Sequence, residues 1–153
     1  MNTSDFQLNF TVSQTADEVF NAVNNVRGWW SENIDGSTDT LYDEFTYRYK
    51  DVHRCTMKLI DILPGEKVVW QVLDNYFNFI EDNTEWTGTK IGFEISENAG
   101  KTHLHFTHWG LNAEYECYNV CYDAWTRYIK TSLFNLVTTG KGQPNPKEFA
   151  AVL

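Results

Sequence analysis

Alternation of apolar and polar positions dominates this chain. Phe6, Leu8, Phe10 and Val12 alternate with Gln7, Asn9 and Thr11, the period-two pattern of a strand with one buried face. Thr15-Ala16-Asp17-Glu18 then forms a capping box, in which the Thr15 hydroxyl accepts from the Glu18 N–H while Glu18 reaches back. Val19, Ala22, Val23 and Val26 follow at helical spacing and predict a short amphipathic helix to about Val26. Gly28 is expected to break it, with Trp29-Trp30 starting a second short helical turn, and the polar stretch 31–40 reads as a loop. From Asp43 the period returns to two. Phe45, Tyr47 and Tyr49 mark one strand, Cys55, Met57 and Leu59 a second within 52–63, and 67–73 a third beyond the Pro64-Gly65 turn. The segment 74–85 reads as a long loop, and strands over 86–96 and 101–109 turn at Asn98-Ala99-Gly100.

The period changes once more after Leu111. Asn112 is a plausible N-cap, with Glu114 and Glu116 in a first turn where the helix dipole favours acids. A helix over about 113–139 is predicted, with Tyr118, Tyr122, Trp125, Ile129, Leu133 and Leu136 on one stripe and Gly140 as its stop. The sum is an α+β chain: a strand, two short helices, about five strands in hairpins, and one long C-terminal helix. Six antiparallel strands curved around that helix form a single domain over 1–153.

Composition narrows the function. With 10 Phe, 8 Tyr and 6 Trp, the aromatic share is 16%, enough for a packed aromatic core or for an aromatic-lined pocket. The net charge of −9, without a Lys/Arg cluster, argues against nucleic acid or an anionic membrane as a partner. No apolar run reaches membrane-span length, so no membrane insertion is expected. The first ten residues lack the pattern of a signal peptide. Three cysteines without framework spacing (Cys55, Cys117 and Cys121) read as reduced thiols of a cytoplasmic protein.

The opening FTVSQTADEVFNAV with Trp29-Trp30, the GTKIGFEI…GKTHLHFTHWGL hairpin, and the last helix with Trp125, Tyr128 and Leu133 together resemble the START-like (helix-grip, SRPBCC) superfamily. Within it the chain resembles bacterial proteins related to the C-terminal domain of the activator of heat-shock protein 90 ATPase. The resemblance covers nearly the whole chain. It implies a deep apolar cavity between sheet and C-terminal helix, used in the superfamily for lipids, hormones, polyketides or other hydrophobic molecules. A minority of members are cyclases or other enzymes, and the chaperone-activator relatives imply stimulation of a chaperone ATPase.

The expected function is therefore binding of a small hydrophobic or aromatic molecule, with no cofactor and no metal. The expected walls are Tyr47, Met57, Trp70, Phe93 and Phe106 from the sheet, Tyr118, Tyr122 and Trp125 from the long helix, and Trp30 and Phe79 at the mouth. His108 shares a strand face with Leu104 and Phe106, so it is the candidate to orient a ligand or to act as acid/base in a cyclase- or hydratase-like alternative. A third alternative is a chaperone-binding module using the aromatic segment 76–80. His103 and His105 share the opposite strand face and read as solvent-facing, and Cys117 and Cys121 read as small buried helix residues. Glu81, Asp82 and Glu85 read as a solvated acidic face, and Gly88 and Gly92 as bends inside a strand.

Overall fold

The computed structural model describes residues 5–50, 52–81 and 83–146, so Asp82 of the acidic segment lies outside the described residues. Its elements, in chain order, are β1 (Phe6–Val12), α1 (Ala16–Asn24), α2 (Val26–Trp29), β2 (Ile34–Gly36), β3 (Glu44–Tyr49), β4 (His53–Leu63), β5 (Lys67–Phe77), β6 (Lys90–Asn98), β7 (Lys101–Trp109), and a C-terminal helix. That helix is continuous: α3 (Tyr118–Arg127), a π-helical turn (Tyr128–Leu133) and α4 (Phe134–Thr139). The strands form one antiparallel sheet in the order β1-β7-β6-β5-β4-β3-β2. Each of β3 to β7 is joined to the next without a crossover, and β1 closes on β7, with Phe6 opposite His108 and Val12 opposite Thr102. The C-terminal helix leaves from the end of β7 and covers the sheet's inner face.

The α+β arrangement is the one the hydrophobic pattern predicts. Its finer departures have local causes. A seventh strand, β2, lies inside the stretch read as loop; with Ile34 its one buried residue, it is too short to show an alternation. The first helix ends at Asn24, close to the expected Val26, and Gly28 lies inside α2, where its N–H bonds the Asn25 carbonyl. The capping box is present as read, with both of its hydrogen bonds at 3.1 Å.

The long loop expected over 74–85 begins later, because β5 continues to Phe77. Thr56 pairs with Asp74 and Met57 with Val72, so Leu73 is an extra residue bulged out of the ladder. The bulge reverses the facing of the remainder of β5. Val68, Trp70 and Val72 point inward before it, and Asn75 and Phe77 point inward after it. Tyr76 and Phe77 are therefore strand residues, with Phe77 buried and Tyr76 outside.

The C-terminal helix starts at Tyr118 rather than near 113. Asn112 does accept a backbone bond, from Glu114 at 3.0 Å, but it closes a turn ahead of the helix. The cap comes from elsewhere in the chain. The Glu85 carboxylate accepts from the Glu116 and Cys117 N–H groups at 2.8 and 3.1 Å. Glu85 is thus a helix cap across the fold, not part of a solvated acidic face. At the other end Gly140, with φ +84°, stops the helix in the left-handed conformation that suits glycine. Gly92 is flat in β6, and its missing side chain leaves room for the Trp109 ring, which a Cβ would meet at 2.4 Å.

Aromatic packing fills the middle of the inner face. Trp30 and Trp70 are nearly parallel at 5.8 Å, Trp29 and Trp70 at 6.3 Å, and Phe93 meets Trp70 edge-on at 5.0 Å. Met57, Phe45 and Phe106 complete this core and are fully enclosed.

Candidate functional site

Packing gives way at one end of the sheet. A cavity of about 310 Å³ opens between α3 and the ends of β3, β4 and β5. Its floor is Tyr47 and Tyr49 from β3, His53 at the start of β4, and Phe77 at the end of β5. Trp30, behind α2, and Trp125, on the helix, form inner walls, while Trp86 and Phe79 come from the β5–β6 connection. The roof is α3 itself, through Val120, Cys121 and Ala124, and Asp123, Arg127 and Tyr128 complete the rim.

Why the helix leaves a gap here can be read from side-chain size. Cys121 and Ala124 face the floor where the next turns present Trp125, Ile129 and Leu133. The helix's position is fixed at both ends of this stretch, by the Glu85 cap before it and by Trp125 within it. The roof therefore cannot collapse onto the floor without moving both.

Three polar features stand on these walls. The first is His53, whose imidazole lies 5.2 Å from the Tyr47 ring and 4.4 Å from Phe77, centroid to centroid. Asn75 Oδ1 lies 2.9 Å from His53 Nε2. An amide oxygen only accepts, so Nε2 carries the proton and Nδ1 keeps its lone pair. Desolvation among these rings pushes the imidazole down to about 3, against the smaller opposing effect of Asn75, so it is neutral at physiological pH.

The second feature is a hydroxyl pair. Tyr47 and Tyr128 bring their oxygens within 3.4 Å of each other. The Asn145 amide donates to both, at 3.2 and 2.8 Å. Asn145 lies beyond the helix, where the chain folds back: its N–H bonds the Trp30 carbonyl at 3.0 Å and its carbonyl accepts from Glu32 at 2.9 Å. Burial, then the neighbouring Tyr128 hydroxyl, pushes the Tyr47 phenol far above its ordinary value, so it stays protonated. The third feature is the rim, where Asp123 and Arg127 sit one helical turn apart and the Arg127 guanidinium lies 5.0 Å over the Tyr128 ring.

Of the residues expected to form the site, Trp30, Tyr47, Phe79 and Trp125 line this cavity. Met57, Trp70, Phe93 and Phe106 do not; they are enclosed in the core beside it. Tyr118 and Tyr122 lie on another face of the helix, against Phe6 of the edge strand β1, with Tyr122 exposed. The segment 76–80 divides: Tyr76 is on the outer face of the sheet, Phe77 on the floor, and Phe79 at the opening.

His108 points inward as its strand parity predicts, yet it is enclosed rather than lining the cavity. Trp125 Nε1 donates to its Nδ1 at 3.2 Å, which leaves Nε2–H to donate to the Thr89 hydroxyl at 2.8 Å. Thr89 in turn donates to the Trp86 carbonyl at 2.6 Å. Both ring nitrogens are satisfied within the protein, and desolvation, reinforced by His53, pushes the imidazole down to about 3. This chain of bonds orients Trp125 and Trp86, which stack at 5.7 Å. His103 and His105 lie half-buried on the opposite face of the sheet, where His103 Nδ1 is 2.8 Å from the Thr11 hydroxyl.

The residues missed by sequence reading include His53, Tyr49, Trp86, Cys121, Ala124, Arg127 and Tyr128. For His53 a signal existed, because it shares the parity of Cys55, Met57 and Leu59. Asn75 and Phe77 gave none, because the bulge at Leu73 reverses their facing.

This architecture recurs in solved structures. The Aha1 dimer from Colwellia psychrerythraea matches over 91% of this chain and 99% of its own, with a TM-score of 0.71 at 20% identity. DynU16, from the dynemicin biosynthetic locus, matches over 92% of this chain and 50% of its own, with a TM-score of 0.68 at 15% identity. CalU16 from Micromonospora echinospora matches over 93% of this chain and 78% of its own, with a TM-score of 0.64 at 13% identity. No protein-family model matches the chain, and no curated protein matches it. The fold is thus the helix-grip fold of START-like (SRPBCC) proteins. At such identities the likeness speaks for the fold, and the function has to be argued from the cavity. Among the described residues no helix is long and apolar enough to cross a membrane.

Proposed function

We propose that this protein binds a small hydrophobic or aromatic molecule in the cavity beneath α3. One observation carries the reading: a hollow of about 310 Å³, aromatic on its floor and roofed in part by small residues, beside a buried aromatic core. A volume at the lower end of the range for small-molecule sites suits a compact ligand of one or two rings. Burial of its apolar surface would drive binding. Native mass spectrometry after incubation with a cell extract tests this. A discrete small molecule should be retained by the wild type and lost from an Ala124→Phe variant, which fills the hollow from above. Equal retention by both proteins would place the molecule elsewhere and defeat the reading.

A second reading, a cyclase- or hydratase-like reaction in the same cavity, is favoured by His53. A neutral imidazole with a lone pair on Nδ1 at a cavity wall is a general base in form. Conversion of the retained molecule by the wild type, abolished in His53→Phe with retention intact, would favour catalysis over binding alone.

A further inference from the structure

The hydrogen-bonding groups of the cavity walls define the polarity of the molecule they hold, given that the cavity is a ligand site as proposed above. Two features are decisive, His53 and the Tyr47–Tyr128 pair. Asn145 donates one amide hydrogen to each phenol oxygen. Each phenol also has its own hydrogen to place. At 3.4 Å one hydroxyl can donate to the other, which uses one of the two hydrogens. The remaining hydrogen has no acceptor among the described residues, and both tyrosines line the cavity. An unused donor of this kind is costly when enclosed, and a ligand oxygen would relieve it.

His53 presents the opposite need. Its Nε2–H is held by Asn75, and its Nδ1 lone pair has no donor among the described residues. The imidazole and the Tyr47 ring are 5.2 Å apart, so the donor and the acceptor occupy neighbouring parts of one wall. Neither group charges readily. Desolvation holds His53 neutral and Tyr47 protonated, so these two groups offer no ion to balance a charged ligand, and the charges of the cavity, Asp123 and Arg127, lie at its rim.

We propose that the cavity selects an uncharged aromatic molecule with a hydroxyl group, a phenol or naphthol in class, over the bare hydrocarbon and over the aromatic carboxylate. The ligand oxygen accepts the free phenolic hydrogen of the Tyr47–Tyr128 pair, and the ligand hydroxyl donates to His53 Nδ1. Asn145 acts as a positioning residue, fixing which hydrogens of the tyrosine pair remain available.

Naphthalene, 2-naphthol and 2-naphthoate separate the possibilities, with affinities measured by isothermal titration or by quenching of the wall tryptophans. The preference for naphthol over naphthalene in the wild type is compared with that in Tyr128→Phe and His53→Phe. The comparison cancels the different cost of taking each probe out of water. Each variant should lower the preference about five- to ten-fold, the size of one hydrogen bond, and because the preference is a ratio, any change in the apolar wall affects both probes alike. Asn145→Asp, whose carboxylate accepts both phenolic hydrogens, should lower it similarly without removing either ring. An unchanged preference in all three variants overturns the polar inference while leaving the cavity reading intact. Tightest binding of 2-naphthoate overturns it in favour of anion recognition by Arg127. Binding of none of the three probes overturns the inference, and the extract experiment then decides separately whether the cavity reading survives.

Discussion

The two ends of the space beneath the C-terminal helix draw on the same residue types and come out differently. At the filled end the helix presents Ile129, Leu133 and Val137, and the sheet presents Trp70, Phe93 and Phe106, all buried. At the hollow end the floor is equally aromatic, through Tyr47, Tyr49 and Phe77, but the roof above it is Cys121 and Ala124, with Val120 beside them. The hollow is therefore a property of two small helix residues rather than of the sheet. The ends also differ in polarity. The filled end holds Ser132, whose hydroxyl donates to the Trp29 carbonyl at 2.6 Å and accepts from Gln143 at 2.7 Å, so it is satisfied internally. The hollow end holds His53 and the tyrosine pair, whose hydrogen-bonding capacity exceeds the bonds their neighbours make.

The largest effect that could break this contrast is a truncation at each end. Trp70 is fully enclosed and touches Trp29, Trp30, Phe45 and Phe93. Trp70→Ala should cost about 3–5 kcal/mol in urea unfolding, the usual range for deleting a buried aromatic. Phe79 at the cavity opening is 39% exposed, and Phe79→Ala should cost less than about 1 kcal/mol. Similar losses for the two would mean that the opening is packed as a core.

Acidification probes the histidines, which bridge the two ends through Trp86. The Trp86 ring meets His53 at 4.8 Å and His108 at 4.7 Å, edge to face in both cases. Both imidazoles are lowered from 6.5 to about 3 in the folded protein. Below 6.5 the unfolded chain binds the protons that the folded state refuses. Stability is thus fully present above about 6.5 and is lost progressively as pH falls toward 3. At pH 4.5 the enclosed His108 should account for a loss of about 2–3 kcal/mol, and His53, which opens on the cavity, for less. Urea midpoints from pH 7.5 to 4.5 in wild type and in His108→Gln check this. A wild-type profile flat across that range would contradict the burial of both rings.

How much of this was legible in sequence depends on whether periodicity survives locally. The strand at Phe6–Val12, the first half of His53–Leu63 and the Thr15–Glu18 capping box kept a clean local pattern and were readable. The long helix was readable as an element, but its π-helical turn breaks the single stripe that was expected to hold both Tyr122 and Leu133. His53 and His108 both obey the parity of their strands, and parity cannot tell a histidine enclosed in the core from one that opens on a cavity. Phe77 and Asn75 were hidden by one extra residue, Leu73, since a bulge reverses facing without altering composition. The Tyr47–Tyr128–Asn145 cluster joins a strand, a helix and the chain beyond it, far apart in sequence, and no local pattern encodes such a meeting. The helix start was misplaced for a related reason, because its cap, Glu85, comes from another part of the chain.

That cap offers a smaller test at the hollow end. Glu85 holds the N–H groups of Glu116 and Cys117, just ahead of the first helical residue, with one carboxylate, tying the β5–β6 connection to the start of the roof. Glu85→Ala should cost about 1 kcal/mol, in keeping with the loss of an N-terminal cap. Amide exchange should show the effect concentrated in the first turns of α3, with the filled end unchanged. Loss of protection spread evenly along the helix would mean that the roof and the filled end act as one unit.

The smallest stability effect gives the sharpest comparison. Ala124→Leu adds side chain into an existing hollow, where it gains contacts without displacing any. Its effect on unfolding free energy should stay within about 1 kcal/mol and can be stabilising. The same exchange at Ala22, buried on α1 among the core residues, should destabilise by about 1–3 kcal/mol through overpacking. Naphthalene binding should vanish in Ala124→Leu and persist in whatever fraction of Ala22→Leu remains folded. If Ala124→Leu instead destabilises as much as Ala22→Leu, the roof has no spare volume. The distinction between the two ends of the molecule would then be one of residue type alone and not of space.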